Sequence, residues 1–230
     1  MREIVLDTET TGLDPFLGHR VVEIGCIELI NCIPTSATFH VYLNPERDMP
    51  AEAEAIHGLS SDFLAAKPKF ADVVETLLQF LGDAKLVIHN AGFDLAFLNA
   101  ELDRVKRQPI VRDRIVDTLA LARRRHPGGP NRLDDLCVRY GIDNSRRTKH
   151  GALLDAELLA EVYAELVGGR QARFSLDRER TVARAVAIAS AKERPAPLSP
   201  RLTPDETTAH HALLAALGAD SVWRDYLAEE

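Results

Sequence analysis

The chain has 230 residues, 46% of them hydrophobic, enough to bury one core of ordinary size with some length left over for a tail. No run of about eighteen apolar residues occurs, and Met1-Arg2-Glu3 passes directly into Ile4-Val5-Leu6, so neither a membrane span nor a signal peptide is expected and the chain is expected to stay in the cytoplasm. The formal charge of −7 argues against nucleic acid unless metal ions neutralise the phosphates, and three cysteines without a C-x-x-C pair exclude a disulfide framework or a zinc knuckle.

Ile4 to Leu6, Val21 to Ile30 and Ala37 to Leu43 are short β-branched runs separated by Gly, Asn and Pro, the pattern of an antiparallel meander. Phe70, Val73, Val74, Leu77, Leu78 and Leu81 recur at helical spacing, Leu86-Val87-Ile88 reads as a short buried strand, and Leu95 to Val105 as a second amphipathic helix. Arg114 to Asp117 is a further strand. A helix follows from Thr118 and breaks at Pro127-Gly128-Gly129-Pro130, Asn131 is placed to cap a helix from Arg132 to Tyr140, and a last helix runs from about Ala152 to Val167. Strands first, then alternating strands and helices, predict a central mixed sheet with helices packed on it, an α/β fold.

Past Gly169 the character changes. Residues 178 to 194 are rich in Ala and charge, Pro195, Pro197, Pro200 and Pro204 mark a stiff extended linker, and His211 to Leu227 regains apolar residues together with the sole tryptophan, Trp223. A short amphipathic end on a linker is more often a partner-binding element than part of a core.

Five side chains carry chemistry. Asp7 and Glu9, two apart on a strand, point their carboxylates to one face, and hard divalent cations take oxygen ligands. An isolated D-x-E is more often a solvated edge; the run Thr8-Glu9-Thr10-Thr11-Gly12 sharpens the signal. Asp94 follows the loop after a buried strand, where the commonest role is helix capping but where α/β sheets also place their sites. Asp117, also at a strand end, is a cap or a supporting group. His150 and Asp155 are five residues apart, about 140° around a helix, so they meet only if His150 lies on the loop ahead of the helix and Asp155 points inward from its first turns. A loop imidazole titrating near neutrality suits a base that takes a proton from water, although a solvent-exposed histidine is the plainer reading of that residue alone.

Asp7-x-Glu9, Asp94 and His150-x4-Asp155, with Ile56-His57-Gly58-Leu59 between the first two, together resemble the DEDDh subgroup of 3′–5′ exonucleases, and within it the proofreading subunits of bacterial replicative DNA polymerases. The resemblance spans roughly residues 4 to 160. It implies a ribonuclease-H-like exonuclease fold and two Mg²⁺ or Mn²⁺ ions per site. Asp7, Glu9 and Asp155 would hold the tighter ion, Asp7 and water-linked Asp94 would help the second, and His150 would act as general base. His57, with Glu52 near the 3′ hydroxyl, would line the terminal-nucleotide pocket, bordered by Thr8 and Thr10. The implied activity is metal-dependent removal of mismatched 3′-terminal nucleotides as 5′-monophosphates, an unpaired end being the one that leaves its duplex most readily. Arg123-Arg124-Arg125 and Arg146-Arg147-x-Lys149 are candidate steering clusters for the phosphate backbone, the second preferred because it flanks His150.

The resemblance also divides the chain into an exonuclease domain (1–169), a linker (170–204) and a polymerase-binding segment (205–230) that would dock on the polymerising alpha subunit. Gln171-Ala172-Arg173-Phe174-Ser175-Leu176 resembles the short glutamine-led peptide that docks into a sliding clamp, and a small theta-like subunit is a further implied partner. Rival expectations are an RNA-trimming DEDDh nuclease, an inactive binding subunit of the same fold, and a hydrolase of small phosphates; the intact acidic set argues against the second, and the tail against the first and third.

Overall fold

The computed structural model describes residues 1–147, 149–168 and 202–217. The chain divides into two units, Met1–Phe174 and Ser175–Glu230, each with its own internal contacts. In the first, the three β-branched runs form β1 (Arg2–Thr10), β2 (Val21–Ile30) and β3 (Ile33–Tyr42), antiparallel neighbours. Asn31 and Cys32, at φ 54° and 65°, make the two-residue turn between β2 and β3, the conformation whose twist matches a tight hairpin. β4 (Lys85–Ile88) and β5 (Ile115–Asp117) add in parallel on the other side of β1, giving the order β3-β2-β1-β4-β5. The expected mixed sheet is therefore present, with β1 inside it.

Alternation along β1 divides the molecule into two layers. Ile4 and Leu6 face a core shared with α3 (Phe70–Leu81) and α4 (Ala91–Arg104), whereas Val5 faces a second core shared with α5 (Thr118–Arg125), α6 (Leu133–Tyr140) and α7 (Ala152–Leu166). Each fully buried Leu or Ile on these faces contributes about 1.5–3 kcal/mol. Asp7 and Glu9 share the parity of Val5 and so belong to the α7 face; Thr8 goes with Leu6 toward α4. Two buried polar links brace the layers. The Arg20 guanidinium donates to both oxygens of Glu101 (2.6 and 2.9 Å), tying the residue before β2 to α4, and the Tyr163 hydroxyl donates to Glu3 Oε1 (2.7 Å), joining α7 to β1.

Several boundaries differ from the sequence reading. Two short helices, α1 (Ala51–His57) and α2 (Ser61–Ala65), are too brief to show a hydrophobic period. The expected helix from Leu95 starts at Ala91, because Asn90 adopts φ 62° and turns the chain directly from β4 into α4. Asn131 does not cap α6: Arg132 holds that position, its N–H bonded to Asp135 (3.0 Å), while the Asn131 amide donates to the carbonyls of Gly129 (2.8 Å) and His126 (3.3 Å) and closes the proline-glycine turn. Asp117 is a cap, accepting from the Leu119 and Ala120 amides at the start of α5.

In the second unit, the described residues form one helix, α8 (Pro204–Ala216). Thr203 Oγ1 accepts from the Glu206 N–H (3.3 Å) and Glu206 accepts from the Thr203 N–H (2.8 Å), a reciprocal cap. Pro204 thus opens a helix rather than closing a linker, since the first helical position has no use for the amide that proline lacks. The Gln171–Leu176 peptide, residues 178–194, the prolines at 195, 197 and 200 and the segment around Trp223 lie outside the described residues. Among the described residues, no helix is long and apolar enough to cross a membrane.

Candidate active site

Asp7 and Glu9 stand at the carboxyl end of β1 with α7 above them. The closeness of that helix has a cause on β2: Gly25 pairs with Asp7, and a Cβ at Gly25 would lie 2.3 Å from the Ala152 carbonyl carbon. Only a residue without a side chain lets the start of α7 rest on the sheet there. Asp155, in the first turn of α7 and 3% exposed, is thereby delivered to the acids of β1. Asp94 arrives from the other layer, one turn into α4, where Thr8 Oγ1 donates to its Oδ1 (2.7 Å). The helix-capping position is Asn90, so capping is not what fixes Asp94. His150 lies on the loop ahead of α7, as its spacing from Asp155 requires, with Nδ1 3.2 Å from Asp155 Oδ2.

These five residues line one cleft of about 760 Å³. Ligand atoms of Glu9, His150 and Asp155 all lie within 4.8 Å of one another, a cation-sized cluster that has the histidine where the sequence reading has Asp7. The electrostatics are those of acids crowded away from water. Burial, then the charges of Asp94, Glu9 and Asp155, push the Asp7 carboxyl well above its ordinary value. Burial and then Asp155 push Glu9 up to about 8, and burial pushes Asp94 up to about 7 against the opposing donation from Thr8. Asp155 Oδ1 is buried without a hydrogen-bond partner. Hard oxygen donors, an unsatisfied carboxylate oxygen and carboxyls that hold protons for want of positive charge all fit divalent cations.

A second cleft of about 580 Å³ adjoins the first, sharing Thr8, Glu9 and Phe93 with it, and is lined by Thr10, Glu52 and His57. All four residues expected to contact substrate are thus gathered in one place. His57 is 6% exposed; its Nδ1 accepts from the Leu59 N–H (3.0 Å), which leaves the proton on Nε2, a buried atom with the Thr10 backbone beside it and no well-aligned hydrogen bond. Burial holds the imidazole pKa down, which favours the neutral ring.

Of the preferred steering cluster, one arginine turns inward. Arg146 pairs with Glu157 (3.3 Å), and Arg147, with only 8% of its side chain exposed, is spent on Asp134 and Asp155 (2.6 Å each). Lys149 and Arg146 both stay exposed, the stem of Lys149 against Gly58 beside the second cleft. Arg123 of the first cluster and Arg132 line the metal cleft instead, whereas Arg125 donates to the Leu166 carbonyl (2.7 Å). Sequence reasoning also missed Phe93, which borders both clefts next to Asp94, and the apolar pair Leu13 and Leu17 that line the second cleft. An aromatic directly before a candidate acid just past a strand end was the available signal for Phe93; Gly25, inside a strand, was the signal for close approach of another backbone.

The exonuclease family described as RNase_T matches residues 4–163. The chain is 55% identical to the DNA polymerase III subunit epsilon of Rickettsia conorii over 179 aligned residues, 76% of this chain and 78% of that one. It is 42% identical to the subunit of the same name from Escherichia coli K12, over 97% of both chains. Among solved structures it is similar to exonuclease X in complex with 5′ overhanging duplex DNA (24% identity, TM-score 0.57, 72% of this chain and 91% of that one). It is also similar to the nuclease domain of 3′hExo, a DEDDh family member, bound to rAMP (18% identity, TM-score 0.62, 73% and 92%). The two structural likenesses speak for the fold.

Proposed function

Since the chain belongs to the exonuclease family, we propose that the acidic cleft is its active site, at which the chain works as the proofreading 3′–5′ exonuclease of a bacterial DNA polymerase III. The observation that carries this reading is the convergence of Asp7, Glu9, Asp94, His150 and Asp155, from two strand positions, two helices and a loop, into one cleft. DEDDh exonucleases generally use divalent metal ions. Here the carboxylates of Asp7, Glu9 and Asp155 would hold one Mg²⁺ or Mn²⁺ ion, and Asp7 with Asp94 a second. Bound there, such ions acidify water and offset charge on the attacking and leaving oxygens of an in-line displacement.

The remaining steps belong to the protein. His57 Nε2–H, Glu52, Thr8 and Thr10 would receive the terminal nucleotide in the second cleft, with Phe93 against it at the junction. That cleft meets the metal cleft at Thr8 and Glu9, so a nucleotide seated in one would present its 5′ phosphodiester to the other. His150 would take the proton of the attacking water through whichever ring nitrogen carries a free lone pair. The DNA polymerase III alpha subunit would be held by residues 205–230, which include α8, and the clamp by 171–176; a theta-like subunit would complete the assembly. The alignment with the Escherichia coli relative over 97% of both chains supports a role for the tail, for which an RNA-trimming nuclease would have little use.

Asp7→Ala, assayed for 5′-mononucleotide release from a mismatched DNA primer in Mn²⁺, is expected to lose at least about a hundredfold in rate. Release at the wild-type rate overturns the site; faster release from short RNA than from the DNA primer overturns the proofreading reading in favour of RNA trimming.

A further inference from the structure

The Arg147 guanidinium occupies the place of a cation. Nη2 donates to Asp155 Oδ2 (2.6 Å), and Nε stands 2.6 Å from Asp155 Oδ1, close but without hydrogen-bond alignment. Nη1 donates to Asp134 Oδ1 (2.6 Å), and Nη2 also lies 2.6 Å from His150 Nδ1. One side chain therefore holds a metal-ligand carboxylate and the candidate base together. A guanidinium has no lone pair to offer and does not lose its proton, so His150 Nδ1 in this contact can only accept. A neutral imidazole accepting at Nδ1 carries its proton on Nε2, and no lone pair remains for water. The same Nδ1 stands 3.2 Å from Asp155 Oδ2 and can donate to it only once Arg147 has withdrawn.

We propose that Arg147 is a positioning residue that latches the metal-free site, and that cation binding moves its grip from Asp155 to Asp134, so that His150 takes the Nδ1–H form with Nε2 open for the water proton. The inference rests on the active-site reading above. Asp134 is a suitable second anchor: it sits in the first turn of α6, its side chain is 55% exposed, and Arg147 already touches it, so the transfer is a pivot about Nη1. Asp155 is a suitable point of release, because the guanidinium hydrogen-bonds Oδ2 but meets buried Oδ1 only as a misaligned ion pair, and a divalent ion can use both oxygens. In the exchange the arginine leaves one carboxylate to a stronger cation and keeps another, while the entering ion adds the positive charge that the crowded acids lack.

The test uses the full chain and two readouts other than nuclease activity. Calorimetric titration with Mn²⁺ should show Arg147→Gln binding the ion about tenfold more tightly than wild type, the effect of removing one charge-assisted competitor. Asp134→Asn should weaken Mn²⁺ binding in the wild-type background, where the arginine loses its alternative anchor, and much less in Arg147→Gln; a general loss of negative charge would weaken both equally. Nitrogen-15 NMR of His150 should show the Nε2–H tautomer in the metal-free chain and Nδ1–H after Mg²⁺ is added, with Arg147→Gln in the Nδ1–H form before any metal. Arg147→Lys, which keeps the charge and loses the fork, should tighten Mn²⁺ binding in the same direction by less, and serves if the glutamine variant does not fold. Unchanged or weaker binding in the Arg147 variants, equal effects of Asp134→Asn in both backgrounds, or an Nδ1–H tautomer in the metal-free wild type overturns the latch. A wild-type chain with no saturable Mn²⁺ binding, or with binding that survives Asp155→Asn, overturns the active-site reading instead.

Discussion

Thr8 shows how much a single side chain settles in this protein. Among the described residues its hydroxyl is the one side-chain donor to Asp94, and it comes from the strand that carries Asp7 and Glu9 but from the opposite face, so one strand serves acids of both layers. Thr8→Val should leave Asp94 Oδ1 buried without a donor and cost about 1–3 kcal/mol in thermal unfolding. Because the donation holds the Asp94 pKa down, losing it should also move metal binding to higher pH, visible as a displaced pH profile of Mn²⁺ affinity; an unmoved profile would mean that another group fixes Asp94. The raised carboxyls make a second prediction. Glu9, moved from its ordinary value of 4.5 to about 8, and Asp94, moved from 3.8 to about 7, keep their protons when folded over a range in which the unfolded chain has lost them. The folded state binds more protons there, so the contribution of these two carboxyls is full below about pH 4 and is lost as pH rises to about 8. In a chelator the melting temperature should decline across that window, and Mg²⁺ should abolish the decline; a flat profile in chelator would contradict the burial of these acids.

At the scale of elements, the contact of Gly25 with the start of α7 joins fold to site. A methyl group at Gly25 meets Ala152 backbone, which cannot give way as a flexible side chain would. Gly25→Ala should lose about 1–3 kcal/mol of stability and, by lifting Asp155 off β1, lose nucleotide release and Mn²⁺ affinity together. Retained affinity with lowered stability would show that α7 can shift without moving its acid. The sequence displayed β1 and β2 as apolar, β-branched runs bounded by turn residues, and α3 because its apolar residues recur at helical spacing over three turns. It did not display α1 and α2, each too short for a period, nor the start of α4, where an asparagine in a left-handed conformation does the work expected of a loop. Asp7, Glu9, Asp94, His150 and Asp155 were legible as types and spacings. The fate of Arg147 was not, because a run of basic residues says nothing about which of them turns inward.

For the molecule as a whole, the acidic total and the affinity for a polyanion are reconciled by where the acids stand. Five acids, Asp7, Glu9, Asp94, Asp134 and Asp155, line the cleft proposed as the active site together with Arg123 and Arg132, so cations held there would turn the charge that disfavours a phosphate into one that attracts it. Removing residues beyond Gly168 should therefore leave hydrolysis of single-stranded DNA within about twofold of the full chain, since every residue of the site precedes that point, while capture of the polymerase alpha subunit in a pull-down should vanish. Loss of hydrolysis on truncation would assign the tail a part in the site itself.

β1 is hydrogen-bonded along both edges, and two of the acids ride on it. Its amides should be among the slowest in the chain to exchange with solvent deuterium, opening only when the sheet opens. Arg147 and His150, by contrast, stand on the stretch between α6 and α7 that belongs to no strand or helix. Substitutions in that stretch can therefore retime the cut without softening the floor on which it is made, which is where an engineer wanting a faster or a more reluctant editor of DNA ends would begin.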